Sequence, residues 1–214
     1  MASRRFRTGV RRGLERSAYE SWQASVRSTG HTPGSVLAWQ STADRQYVIS
    51  TAGLLSLSSG DQASPRWQHI GWHRIEHGSF DADTNTLRWT VYPDTPDGEI
   101  PDPAAPTEPG EVSLLDPGRV PEVFRDRVAA SIAVQRFVPL DVEESGGAAI
   151  EPVTRKTDRR RGVIISGRRD LSRPDDPIEW RVSLPVGITW ETNGISDLAT
   201  QAVIGMRAAY DPDP

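Results

Sequence analysis

Three short apolar runs decide the fold, and they lie within residues 36–57, whose sequence is VLAWQSTADRQYVISTAGLLSL. The runs are Val36-Leu37-Ala38-Trp39, Tyr47-Val48-Ile49 and Leu54-Leu55-Ser56-Leu57, and turn-forming residues separate them. Runs of this length and spacing are typical of consecutive antiparallel strands. The stretch therefore predicts a β-meander.

The strand pattern continues on the C-terminal side of this meander. Residues 66–80 and Leu87–Tyr92 predict further strands, and Asp81–Asn85 suits a tight turn between them. Residues 93–110 contain six prolines and five acidic side chains, which predicts a disordered acidic, Pro-rich loop. A strand at Glu111–Leu115 then resumes the pattern.

Helices are predicted on both sides of these strands. Apolar residues recur at a spacing of four near the start of the chain, which is typical of an amphipathic helix: Phe6, Val10, Leu14, Ala18, Trp22 and Val26. A second helix is predicted from Val120, because Pro121 suits a first helical position. Val120, Phe124, Val128 and Ile132 give this helix an apolar face.

A smaller unit is predicted to follow. Gly162–Ser166 and residues 178–184 have the pattern of strands, and a final helix begins near Ser196. The expected organisation is a basic amphipathic helix at 1–30, a central domain at 31–140 that includes the loop 93–110, a linker or long loop at 141–161, and a strand–strand–helix unit at 162–214.

The order of these elements resembles a family of uncharacterised actinobacterial proteins with a pleckstrin-homology-like (PH-like) fold. The phrases that carry the resemblance are Val36–Trp39, Gly53–Leu57, Trp67–Ile70, Leu87–Trp89, the helix Val120–Gln135, Gln135–Leu140, Gly162–Arg169 and Trp180. The resemblance covers most of residues 8–209 and departs from the family at 93–110 and 141–161. It implies an α+β protein with a PH-like antiparallel β-barrel or sandwich closed by a helix.

The resemblance implies no activity, because the shared phrases are structural. Phosphoinositide-binding proteins of the wider fold concentrate Lys and Arg around the first hairpin. The corresponding turn here, Thr42–Gln46, contains one Arg beside one Asp, which argues against recognition of a lipid headgroup. Fold alone does not determine function.

Charge is distributed unevenly along the chain. The net charge is −4, yet residues 1–30 contain seven Arg and two Glu. Basic residues that form a candidate interaction surface are Arg4, Arg5, Arg7, Arg11, Arg12, Arg16, Arg159, Arg160, Arg161, Arg168 and Arg169. The first helix is either a basic arm for an anionic partner or a helix packed on its own chain. Both interpretations stay open at this point.

One zinc-like motif is present. His73-Arg74-Ile75-Glu76-His77 matches the H-x-x-E-H pattern, in which two His one helical turn apart bind zinc and the Glu acts as a base. Trp67, Ile70, Trp72 and Ile75 are strand formers, and two residues four apart on a strand lie about 13 Å from each other. The motif is therefore interpreted as a solvent-facing row of strand histidines that begins at His69.

These observations favour a non-catalytic interaction module or adaptor that binds another protein. The chain has no Cys, which excludes thiol catalysis and disulfides. No intact catalytic set or cofactor motif is present, and none of the apolar runs reaches the length of a membrane-spanning helix. We expect a cytoplasmic protein without a cofactor. The alternatives are a polyanion binder for nucleic acid or an anionic membrane surface and, third, a zinc-dependent hydrolase using His73, Glu76 and His77.

Overall fold

A computed structural model of the chain describes residues 13–61, 64–93, 105–140 and 161–210. Within these ranges the helices are α1 (Arg16–Ser28), α2 (Val120–Ser131) and α3 (Ile195–Tyr210). The strands are β1 (Val36–Ser41), β2 (Tyr47–Thr51), β3 (Leu54–Ser59), β4 (Arg66–Gly71), β5 (Ile75–Asp81), β6 (Thr86–Val91), β7 (Glu108–Ser113), β8 (Ile132–Pro139), β9 (Gly162–Arg168) and β10 (Glu179–Ser183). These elements confirm the predicted α+β class.

Two antiparallel sheets form the framework of the first compact unit, to which the described parts of 1–93, 107–131 and 169–176 belong. One sheet has the strand order β1-β2-β3-β4 and the other β5-β6-β7. They meet at an isolated bridge between Thr42 and Leu114, beyond the ends of β1 and β7. Closure of a barrel requires a continuous ladder there. The described strands therefore do not form a closed barrel, which is one of the two arrangements, barrel or sandwich, that the resemblance implies.

Both faces of the four-stranded sheet are covered, which explains why all five residues of β2 are buried. Val48 packs into a core that includes Phe124 of α2. Its neighbour Ile49 packs into a second core with Trp22 of α1, because successive strand residues point to opposite faces. The first helix is thus docked on its own chain.

The core beneath α2 is centred on aromatic rings. Phe124 contacts Trp72 edge-on at 5.7 Å between ring centroids and Trp89 at 6.5 Å. Gly78 and Gly110 flank Trp89 on the neighbouring strands. A Cβ at Gly78 would meet the Phe124 ring, and one at Gly110 would meet the Trp89 indole. Glycine at both positions lets these rings lie against the sheet.

A second compact unit contains the described parts of 94–106, 132–168 and 177–214. Its antiparallel sheet has the order β10-β9-β8, and α3 packs on β9 and β10. Val163, Ile165 and Trp180 form its core with Ala199 and Val203 of the helix. The division falls between Ser131 and Ile132, whereas the predicted central domain, 31–140, includes the residues of β8.

Three local expectations differ from the structure. The predicted strand 66–80 is broken by a 3-10 helix, Trp72–Arg74. Residues 108–110, expected in the acidic loop, begin β7, where an edge position tolerates Pro109 because no neighbouring strand needs its missing N–H. Helix α2 ends at Ser131 rather than Gln135, since the following β-branched residues pair with β9. Residues 94–104 of the predicted loop lie outside the described ranges.

The predicted turn between β5 and β6 is confirmed. The Asp81 carboxylate accepts hydrogen bonds from the backbone N–H groups of Asp83 and Thr84 at 3.0 and 3.2 Å. These bonds lower the pKa of Asp81 below its ordinary value, and the bond from Thr84 contributes most.

In the part of the chain that the structure describes, no helix is both long and apolar enough to cross a membrane.

Candidate functional site

Four residues of the predicted arginine surface are described by the structure, and one of them is buried. Arg4, Arg5, Arg7, Arg11, Arg12, Arg159 and Arg160 lie outside the described residues. Arg161 and Arg169 are exposed, and Arg16 is exposed but bonded to Glu20 at 2.7 Å. Arg168 is only 4% exposed, because it lies on the central strand β9 of its sheet. It therefore does not belong to an exposed interaction surface.

The histidines of the zinc-like motif lie in different environments. His73 lies in the 3-10 helix and is buried, with its Nδ1 atom 3.6 Å from Asp170. His77 is exposed on β5, and Glu76 accepts a hydrogen bond from the Thr90 hydroxyl. The predicted solvent-facing row is wrong for His73, because the 3-10 turn rotates this residue into the interior. Among the described residues, no group of three His, Asp or Glu side chains is arranged to hold a metal ion.

A hydrogen-bonded network connects His69 to α1. Its Nδ1 and Nε2 atoms each lie 2.9 Å from a hydroxyl, that of Ser56 on β3 and that of Ser25 on α1. Trp22 donates its indole N–H to the same Ser56 oxygen at 3.1 Å. In the tautomer with the proton on Nε2, the Ser56 hydroxyl donates to Nδ1 and Nε2–H donates to Ser25. A neutral imidazole satisfies every partner, so His69 is not solvent-facing but ties α1 to the sheet.

Residues 169–176 return from β9 to the first unit, where Asp170 and Ser172 anchor them. Asp170 accepts hydrogen bonds from the backbone N–H and the hydroxyl of Ser172, at 2.8 and 2.6 Å. The Ser172 oxygen lies 3.0 Å from Nδ1 of His31. Gly53 permits the close approach, since a Cβ there would lie 2.6 Å from that of Ser172.

The cluster of Asp170, Ser172 and His31 holds the chain in place and is not arranged for catalysis by Ser172. A serine nucleophile of the triad type needs a histidine between the hydroxyl and the carboxylate, so that the imidazole removes the hydroxyl proton. Here Ser172 lies between Asp170 and His31, and its proton already goes to the carboxylate. The order of groups is thus unsuited to activating Ser172, and the hydrogen bonds serve to hold the returning segment.

Acidification is expected to destabilise the fold through His31 and His69. Burial is the main cause that lowers the pKa of both groups below 6.5; for His31, Arg173 lowers it further and Asp170 opposes the shift. The unfolded chain then binds protons more readily than the folded one. The stability that the neutral imidazoles contribute is complete above pH 6.5 and is lost as the pH falls through the lowered folded values.

Urea unfolding at a series of pH values measures this effect. His69→Gln is expected to reduce the loss of stability below pH 6.5, because one of the two groups is removed. The exposed His77 serves as the control, and His77→Ala is expected to retain the full dependence. Equal pH profiles for wild type and His69→Gln would contradict the prediction.

A cleft of about 460 Å³ lies against the three-stranded sheet. The residues that line it are His77, Ser79, Arg88, Trp89, Thr90, Pro109, Gly110 and Glu111. Strand pairing sets six of them in two rows, His77–Thr90–Pro109 and Ser79–Arg88–Glu111. These positions alternate with core residues such as Leu87 and Val91, so the rows occupy the face opposite to α2.

The cleft is not among the sites that the sequence predicts. The alternation of β6 marks Arg88 and Thr90 as outward-facing, which was the signal available. The pairing of β7 with β6 was not predictable from the Pro-rich segment between them, although Glu111 was assigned to a strand.

No known protein family, curated protein or solved structure matches the chain.

Proposed function

We propose that this protein is a non-catalytic interaction module whose binding site is the cleft on the outer face of β5, β6 and β7. The cleft is the observation that carries the proposal, because it is concave, solvent-exposed at its rim and lined by mixed polar and apolar groups. We further propose a PH-like arrangement, in which β1–β7 are followed by the covering helix α2, as the family resemblance implies.

Two features support an interaction role over hydrolysis. His73 is buried against Asp170 while His77 faces the cleft, so the pair is not placed to share one ion. The cleft itself contains His77, an ion-paired Arg88 and two hydroxyl groups, and among the described residues no hydrogen bond joins His77 to the Ser79 or Thr90 hydroxyl. Groups of this kind suit recognition of a peptide surface.

A substitution that fills the cleft tests the proposal. The full chain is applied to an array of unstructured synthetic peptides that includes acidic, neutral and basic compositions. For the peptides that bind to the wild-type chain, Ser79→Trp is expected to weaken binding by about tenfold, because the indole occupies the centre of the cleft. Ser79 is exposed, so the fold tolerates the larger side chain.

The matched control is Ser59→Trp, which introduces the same side chain at an exposed position of β3 in the other sheet. Its binding is expected to stay within about twofold of wild type. Near-ultraviolet circular dichroism checks that both variants are folded. Failure of every peptide to bind, or equal loss in both variants, would overturn the proposed function.

A further inference from the structure

β8 lies at the open edge of the sheet in the second compact unit. It occupies one end of the strand order β10-β9-β8, and no described strand pairs with its outer side. Ala133, Gln135, Arg136 and Phe137 are exposed, Phe137 to 39%. Sheets protect such an edge with a bulge, a proline or charges. In β8 a bulge lies at the start and Pro139 at the end, which leaves Arg136 as the only charge of the strand.

The backbone groups on this edge follow from the ladder with β9. Leu140 donates its N–H to the carbonyl of Arg161 at 3.0 Å, so Leu140 faces β9. In an antiparallel ladder, alternate residues bond to a given neighbour, so Gln135 and Phe137 direct their N–H and C=O groups away from β9. Pro139 belongs to the same outward set and offers a carbonyl alone. The outer edge therefore presents complete donor and acceptor pairs in the middle of the strand.

We propose that β8 pairs antiparallel with β8 of a second copy of this chain, in the register that places Gln135 opposite the partner's Gln135. Each Gln135 then donates its backbone N–H to the other and accepts one bond in return. Phe137 lies opposite the partner's Ala133, a small residue beside a large one. Arg136 lies opposite the partner's Val134, so the charge does not face its own copy.

The neighbouring symmetric registers are less favourable. A register centred on Arg136 places two guanidinium groups directly opposite each other, which is destabilising. A register centred on Phe137 places Pro139 opposite the partner's Gln135, whose carbonyl then lacks a donor. Pairing about Gln135 avoids both costs.

This pairing ends at two copies. It joins two three-stranded sheets into one sheet of six strands that has β10 at both ends. β10 has five residues, and its central three are buried, so no further copy adds there. The residues of β8 belong to the second unit and those of the cleft to the first, so this dimer and the proposed function are tested separately.

Sedimentation velocity of the full chain measures the association. The mass is expected to rise from 23.6 kDa towards twice this value between about 1 and about 300 µM, because a strand edge is smaller than the interface of a tight dimer. Phe137→Lys is expected to weaken association at least about tenfold, since lysine on an open edge opposes strand pairing. The matched control is Ile204→Lys, at a residue of α3 that is 52% exposed, and it is expected to associate within about twofold of wild type.

Cysteine cross-linking tests the register. The chain has no Cys, so each introduced thiol has one possible partner, the same residue of the other copy. Directly opposite residues have Cα atoms about 5.5 Å apart, within the range of a disulfide, whereas the two copies of residue 133 are displaced by about 14 Å along the strands. Under copper phenanthroline, Gln135→Cys is therefore expected to form linked dimers at least about tenfold faster than Ala133→Cys.

Three results would overturn the proposal. The first is a chain that stays monomeric over the whole concentration range. The second is association that is lost in Ile204→Lys but kept in Phe137→Lys, which places the interface on α3. The third is cross-linking of Ala133→Cys at a rate equal to or above that of Gln135→Cys. Near-ultraviolet circular dichroism checks that every variant is folded.

Discussion

Trp22→Ala is expected to lower the free energy of unfolding by about 3–5 kcal/mol. Trp22 is fully buried between α1 and the four-stranded sheet, where it packs with Val26, Ile49 and Leu54. Its truncation removes the largest buried side chain of this core and leaves a cavity that rigid strands fill poorly. It also removes the donor to Ser56, which itself is bonded to His69.

Urea denaturation followed by far-ultraviolet circular dichroism measures the loss. Trp22→Phe is the companion variant, since it keeps an aromatic ring but lacks the indole N–H, and a smaller loss of about 1–2 kcal/mol is expected. Tyr19, whose ring lies beside Trp22, remains in both variants. A loss below about 1 kcal/mol in Trp22→Ala would show that α1 contributes little to the fold, contrary to its docked position.

Asp170→Ala is expected to lower the free energy of unfolding by about 2–4 kcal/mol. The residue is 8% exposed and has three described partners, the backbone N–H and hydroxyl of Ser172 and the His73 imidazole. Removal of the carboxylate takes the acceptor from both Ser172 groups and the ionic neighbour from the buried His73, in a site that water reaches poorly. The returning segment 169–176 then loses its main anchor.

Asp175→Ala is the control for this prediction, because Asp175 lies in the same segment and is exposed. Its substitution is expected to change stability by less than about 0.5 kcal/mol. Asp170→Asn retains one oxygen that accepts from Ser172, so an intermediate loss is expected. Equal stabilities of the Asp170 and Asp175 variants would contradict the anchoring role of Asp170.

Docking of α1 bears directly on the choice between the two interpretations of the basic N-terminal region. Ala18, Trp22 and Val26 are buried, so the part of the apolar stripe that lies on α1 packs into the protein's own core rather than against a membrane or a partner. Arg16 and Arg27 remain on the exposed side of the helix. The arginines at 4–12 precede this docked helix in the sequence.

The candidate site was less predictable than the fold, for a reason that particular residues illustrate. The outward position of Arg88 follows from the alternation of its own strand. Its neighbours Ser79 and Glu111 come from strands that precede and follow it, and the register of these strands depends on the bulge at Glu76 and on the turn at Asp81–Asn85. A shift of one residue would have turned the same side chains to the other face.

Local sequence patterns determined most strands and the three helices of this protein. The alternating residues around Trp180 suffice to predict a strand, and the spacing of Ala18, Trp22 and Val26 suffices to predict a helix, because strand and helix periods depend on near neighbours along the chain. Tertiary structure alone decided the placement of the buried His73 beside Asp170, the hydrogen bond between His31 and Ser172 across 141 positions, and the assembly of the cleft. These contacts depend on chain return and strand register, which no local period encodes.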